Sequence, residues 1–467
     1  MTDQPIIERA TLERVLSSAA GQGADFAEVF AEDRSSTSAM LDDGRVEELS
    51  SGRDRGAGIR VVVGQSTGFA HTADLSEESL VTAAATAAAG ARAGGGATTM
   101  TPLGSQRSGA NTVVVMPENV DKATKVGLLR TAQDAARSFD PAISQVTARY
   151  ADSRRRIQVA NTDGVFAGDD QVRTLFSVST VATGDTGMQT GRESIGHTVG
   201  FELFDTTDVA DLAARAAGRA VTKLAARPAP SGEMTVVIGP GGGGVMFHEA
   251  CGHGLEADLV AKGASVFAGR KGELVASPLV TLVDDGTMSG EWGTGAIDDE
   301  GRPRGRNVLI EDGVLIDYMW DELRAREEGR PSSGNGRRQS YAHLPMVRMT
   351  NTYLLAGDSD PDDIVAGTES GVYVAHLGGG QVNTATGDFV FGMTEAYLIE
   401  GGRITEPIRE GNLIGNGPAV LTNIDAVGND FAMGSPGTCG KDGQGVAVGD
   451  GVPTLRAHGL TIGGTAA

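Results

Sequence analysis

The sequence predicts an α+β chain of two domains. Residues 1–229 read as an N-terminal domain in which a helix–strands–helix unit occurs twice. Residues 230–467 read as a mostly antiparallel β domain carrying one helix with the pattern His-Glu-x-x-x-His. Three observations carry this. Helical stripes and β-like runs alternate before residue 227. Arg227-Pro228-Ala229-Pro230-Ser231-Gly232 then interrupts them with two prolines and a glycine. Beyond that point hairpin-type turns recur. The 68 glycines are scattered rather than periodic and aromatics are only 4%, which fits many tight turns and excludes collagen-like repeats.

Taken in order, Leu12, Val15, Leu16 and Ala19 share one helical stripe, stopped by Gly21 and Gly23. Leu41-Asp42-Asp43-Gly44-Arg45-Val46 reads as a hairpin with an Asp-Gly turn. Ile59 to Val63 is β-branched enough for a buried strand. Glu77 to Ala93 returns to helix, and Gly94 to Ala110 reads as a surface loop or linker. The same order then recurs, with helices at Lys122–Ser138 and Val209–Ala226 around a strand at Val172–Thr180. Past residue 230 come a strand (Met234 to Ile238), a glycine run (Gly239 to Gly244) and a helix starting near Val245. Hairpins follow around Asp312-Gly313 and Gly401-Gly402, with a third turn at Asp284-Asp285-Gly286.

Composition narrows the function classes. A net charge of −22 repels nucleic acid and anionic membranes. No apolar run approaches the length of a membrane span, and Met1 to Glu13 lacks a secretory h-region, so the cytoplasm is expected. Cys251 and Cys439 are too few for a disulfide framework, and free thiols are expected.

The sharpest feature is His248-Glu249-Ala250-Cys251-Gly252-His253. Histidines four apart on a helix share one face and one metal. Here they are five apart, which on a regular helix leaves them about 140° apart around the axis. A shared metal therefore demands a π-type widening, or a helix ending between Gly252 and Gly254. The plainer reading is two hydrogen-bonded histidines at a helix end. Catalytic zinc needs a third protein ligand, and Glu256, Asp258, Cys251, Cys439 and the other five histidines are all candidates. Cys251 would point off the shared face and reads as a small packed residue. Cys439 sits in a glycine-rich stretch, read as a loop with few other reasons to hold a thiol.

Other signals have plainer readings. Gly241–Gly244 resembles a phosphate-cradling loop, but no Gly-Lys-Ser/Thr follows, so a sharp turn into the helix accounts for it better. Arg337, Arg338 and Arg348 read as a solvated basic face or, alternatively, a clamp for a peptide carboxylate. His343 and His376 are oxyanion-donor candidates and equally ordinary structural histidines.

HEACGHGLEAD, RRQSYAHLPMVRMTN, NTATGDFVFGMTEAYLIEGGRITEPI and SPGTCGKDGQGVAVGDG together resemble the TldD branch of the TldD/PmbA metallopeptidase family, also called the modulator of DNA gyrase family. The resemblance implies a zinc peptidase in which His248, His253 and Cys439 hold Zn2+ and Glu249 activates water. It implies short or unfolded peptides bound in extended form, and a homodimer or a heterodimer with a PmbA/TldE-like subunit. The alternatives are a non-catalytic protein-binding regulator of the gyrase-modulator type and, less well supported, a nucleotide-binding enzyme using Gly239–Gly244.

Overall fold

The structure, a computed structural model, describes residues 5–21, 23–91 and 100–464. Part of the Gly94–Ala110 linker, the last residues of the Glu77–Ala93 helix and the first four residues of the chain lie outside the described residues.

Leu12, Val15, Leu16 and Ala19 face the core from α1 (Arg9–Ala20), as an apolar stripe at helical spacing requires. The chain enters β1 (Phe26–Asp42) and turns at Asp43-Gly44, where φ is 45° and 89°. Both residues are left-handed, the two-residue hairpin turn that an Asp-Gly pair favours. It returns as β2 (Arg45–Val63), continues through β3 (Ser66–Thr72) and closes the unit with α2 (Glu77–Gly90). A short β4 (Arg107–Ala110) lies where the linker was expected, because it pairs in parallel with a strand further on. The order then repeats: α3 (Lys122–Phe139), β5 (Ile143–Asn161), β6 (Phe166–Gly184), β7 (Gly187–His197), a one-turn α4 (Leu203–Thr206) and α5 (Val209–Ala225).

These strands form one sheet in the order β3-β2-β1-β5-β6, with β4 and β7 both on β6. The two units meet along the antiparallel β1–β5 pair. Helices α1 and α2 cover one apolar core, and α3 and α5 cover another.

The second half opens with the strand Gly232–Ile238, flanked by Ser370–Val382 in parallel and Leu455–Gly463 antiparallel. Leu455–Gly463 pairs with Asn412–Asn416, which pairs with Asp388–Glu400, which pairs back onto Ser370–Val382. Five strands thus close a ring. A second sheet sets Leu282–Asp285 between Arg306–Glu311 and Asn351–Leu354, with Gln444–Val452 parallel to the last.

Three expectations are corrected here. Asp284 and Asp285 end a strand rather than forming a hairpin turn, and Asp284 is buried, accepting from Asn335, Thr350 and Thr352. The segment around Cys439 is not a loop. Gly437–Lys441 and Gln444–Val452 form a hairpin around Asp442-Gly443, whose φ values of 48° and 75° repeat the β1–β2 turn. Arg337, Arg338 and Arg348 are buried rather than solvated, because each guanidinium donates to backbone carbonyls.

Charge joins the two halves. Arg60 of β2 lies 3.1 Å from Glu28 of β1 and 2.7 Å from Glu300, all buried. Arg155 of β5 reaches Glu32 of β1 and, at 2.8 Å, Asp299.

Candidate metal centre

The strand Gly232–Ile238 delivers the chain to the glycine run, which passes tightly under its neighbour. A Cβ on Gly242 would stand 1.7 Å from the Ala375 carbonyl oxygen, so only glycine fits. This packing accounts for the glycines. One turn of α-helix (Gly244–Phe247) follows, and then a π-turn over His248–Gly252, in which the His253 N–H reaches back five residues to the His248 carbonyl. A 3-10 turn, His253–Leu255, ends the segment. Widening to an i→i+5 bonded turn reduces the angular offset that the spacing creates on a regular helix, bringing both rings toward one side. The rings of His248 and His253 have centroids 5.2 Å apart at 85°.

Cys439 comes from the other side, on the hairpin strand Gly437–Lys441, and its Sγ lies 3.3 Å from His253 Nε2. The donor atoms of His248, His253 and Cys439 all fall within 4.8 Å of one another, and the three residues are buried. Two donors on a zinc tetrahedron stand about 3.3–3.6 Å apart, given Zn–N near 2.0–2.1 Å and Zn–S near 2.3 Å. Both ring nitrogens of His248 are buried with no hydrogen-bond partner among the described residues, a costly arrangement that a bound cation relieves. Burial alone would push the Cys439 thiol up, but His248 and His253 outweigh it and hold it down at about 4. The N₂S donor set fits zinc.

The remaining ligand candidates lie elsewhere. Glu256 is wholly buried, and its Oε2 accepts from His253 Nδ1 at 3.0 Å and from Lys441 Nζ at 2.8 Å. Burial opposes its charge, yet His253 and Lys441 prevail and bring its pKa to about 2. That bond turns Nε2 of His253 toward the cluster, the usual second partner of a ligating imidazole. Lys441 also donates to Asp258 at 2.8 Å and to the Val347 carbonyl. Cys251 is packed in the apolar core, where burial pushes its thiol up. His376 sits beside Arg219 and Glu395, and burial and Arg219 bring it down to about 4. His343 pairs with Ser340 at 2.8 Å.

Glu249, half-buried, places Oε2 3.8 Å from His253 Nε2. Beneath the turn lies buried Asp450, its pKa brought up to about 6 by burial and Glu249 against the pull of His248. Asp450 and Val245 also wall a cavity of about 340 Å³ that reaches Arg192 and Arg219 of the first half.

Sequence reasoning missed Glu256 as a partner of His253, and missed Lys441 and Asp450. Two signals were present. His253 and Glu256 are three apart, within reach on a helical turn, and Cys439 and Lys441 are two apart, on one face of a strand.

Three matches tile the chain: residues 27–91 match PmbA/TldA metallopeptidase domain 1, residues 116–224 the central domain, and residues 231–464 the C-terminal domain. A metalloprotease TldD homolog of Haemophilus influenzae is 40% identical over 97% of this chain and 96% of its own. Among solved structures, a proposed modulator of a DNA gyrase from Thermotoga maritima superposes with a TM-score of 0.81 at 20% identity, covering 97% of this chain and 99% of that one. TldE from Thermococcus kodakarensis superposes with a TM-score of 0.77 at 19% identity, with the same coverage.

Proposed function

Because the chain belongs to the PmbA/TldD metallopeptidase family, we propose that it is a zinc-dependent peptidase acting on short or unfolded peptides in extended conformation. The observation that carries this is the convergence of His248, His253 and Cys439, buried and with donor atoms within 4.8 Å of one another. These three residues would hold Zn2+. When bound, zinc supplies a Lewis acid that makes water nucleophilic near neutral pH and polarises a carbonyl.

The chain's own residues do the rest. Glu249 takes a proton from the attacking water at Oε2 and passes it to the leaving amine. Glu256 holds His253 Nδ1–H, fixing the tautomer that leaves Nε2 free. Lys441 bridges Glu256 and Asp258, and its single positive charge offsets part of the repulsion between these buried carboxylates. Buried surroundings exclude bulk water and strengthen each of these interactions. An extended peptide is recognised chiefly through its backbone, which reads length more than side chains.

We place the protein in the cytoplasm, acting as a homodimer or with a TldE-like second subunit. The likeness to TldE supports a subunit of matching shape. Among the described residues no helix is long and apolar enough to cross a membrane.

Metal analysis with peptide hydrolysis tests the reading. About one zinc per chain is expected, lost in Cys439→Ala. Glu249→Gln should keep the zinc and lose roughly 10²–10⁴-fold in turnover. Wild-type hydrolysis by Glu249→Gln removes Glu249 as the base; a metal-free, inactive wild type returns the protein to a binding role.

A further inference from the structure

Behind the hairpin that carries Cys439 lies a second cavity, of about 190 Å³, between the two halves. Five arginines line it, Arg34, Arg155, Arg173, Arg337 and Arg338, and no Asp or Glu does. Two of the five are neutralised from outside the lining. Arg155 pairs with Glu32 and Asp299, and Arg338 pairs with Glu28.

Arg173 and Arg337 are not neutralised in this way. Both are buried, 8% and 4% exposed. Arg173 donates to the carbonyls of Trp292 and Thr294 and to Gln171 Oε1. Arg337 donates to the carbonyls of Met349 and Ala447. Neither has a carboxylate within ion-pair distance among the described residues. Nε of Arg337, and Nε and Nη1 of Arg338, are buried without a partner. The crowding registers in their acidity. Burial lowers Arg173 to about 9, with Arg304 and Arg155 adding repulsion, and Arg337 is lowered for the same kind of reason. A guanidinium ordinarily stays charged under all conditions. Asp299 attracts both Arg173 and Arg337, and Asp169 attracts Arg173, but neither acid forms a direct ion pair with them, and the repulsion and burial prevail. Two buried charges so weakly compensated are costly for a fold.

We propose that this cavity binds a small oxyanion, a phosphate or a carboxylate group, whose charge completes the arginine cluster. Planar guanidinium forks match the paired oxygens of such groups. The volume suits a group of that size with a few waters and is small for a whole nucleotide. Thr438 lines the cavity and Cys439, the next residue on the strand, joins the metal cluster; successive strand side chains point to opposite faces. The anion therefore sits back to back with the metal and competes for none of its ligands. Its two natural sources are free phosphate and the terminal carboxylate of a peptide.

Isothermal titration of the zinc-loaded protein with inorganic phosphate, at ionic strength held constant with chloride, tests this. One saturable site per chain is expected. Arg34→Ala, at the exposed rim where folding is not at stake, should weaken phosphate by about tenfold. Arg173→Gln, which keeps donors for the carbonyls but removes a charge, should weaken it at least as much. Competition by a short peptide with a free carboxyl terminus, but not by its amide, identifies the peptide as the source; no competition by either identifies the free anion. Phosphate heats no different from chloride, or wild-type phosphate affinity in both variants, overturns the proposal. Both outcomes are read apart from hydrolysis, so they stand whether or not the peptidase reading holds.

Discussion

At the scale of single residues, Cys251 and Cys439 are both buried thiols with opposite chemistry. Burial alone acts on Cys251 and pushes it up, whereas His248 and His253 overcome burial at Cys439 and bring it to about 4. In metal-stripped protein, Cys439 is thiolate at every pH above its lowered value, so its iodoacetamide reaction should be nearly flat from pH 5 to 8. An ordinary thiol, with a pKa near 8.5, would gain about a thousandfold over that range. Cys251 should not react before unfolding, and added zinc should protect Cys439; mass spectrometry of the alkylated peptides reads both. A steep rise for Cys439 would show that the imidazoles do not hold it as thiolate. Spacing made His248 and His253 legible as a pair that needed a distorted helix. It could not choose among Glu256, Asp258 and Cys439, because that choice depends on which strand faces the turn. In the structure Lys441 occupies both carboxylates, which supports the proposed choice of Cys439.

Among the elements, hairpins were the most legible, because Asp-Gly and Gly-Gly pairs tolerate the left-handed backbone that tight turns require. Asp43-Gly44, Asp312-Gly313 and Gly401-Gly402 all turn where the sequence places them. Asp442-Gly443 carries the same signal inside a glycine-rich stretch whose composition reads as a loop, although the segment bearing Cys439 is a strand. Glycine content misleads in this way because its reasons differ. Gly242 is crowded by a backbone carbonyl, while Gly440, beside Cys439, has nothing within 4 Å of an added Cβ. Gly242→Ala should therefore cost stability at the upper end of about 1–3 kcal/mol and weaken zinc binding. Gly440→Ala should leave the urea midpoint and zinc content close to wild type. Equal losses in both would mean the glycine run is kept for flexibility rather than space.

For the molecule as a whole, we propose that the divide near residues 229 and 230 separates two folding units, coupled through Glu28, Arg60, Glu300 and Arg338. All four are buried. Removing one partner strands the others, so Glu28→Gln should cost about 3–5 kcal/mol by urea denaturation. Arg53→Gln, breaking the pair between the exposed Arg53 guanidinium and the half-buried Asp33, should cost only about 1 kcal/mol. A small loss at Glu28 would mean that the halves are held chiefly by apolar contacts such as those of Phe30 and Ile297. None of this coupling was legible in the sequence. The residues lie up to 310 positions apart, and charge read along the chain gives no hint of where a folded surface brings it together.

The ring of five strands has a consequence for the order in which the protein comes into being. The strand that leads into the histidine turn has Leu455–Gly463 as one of its two flanking partners, and Cys439 also lies far downstream of the histidines. A chain emerging from the ribosome would hold its two histidines long before it had either the thiol or the closing strand. Synthesis must pass residue 463 before the proposed metal site has all its parts, so a polypeptide abandoned between the histidines and Cys439 would hold only two of the three proposed ligands.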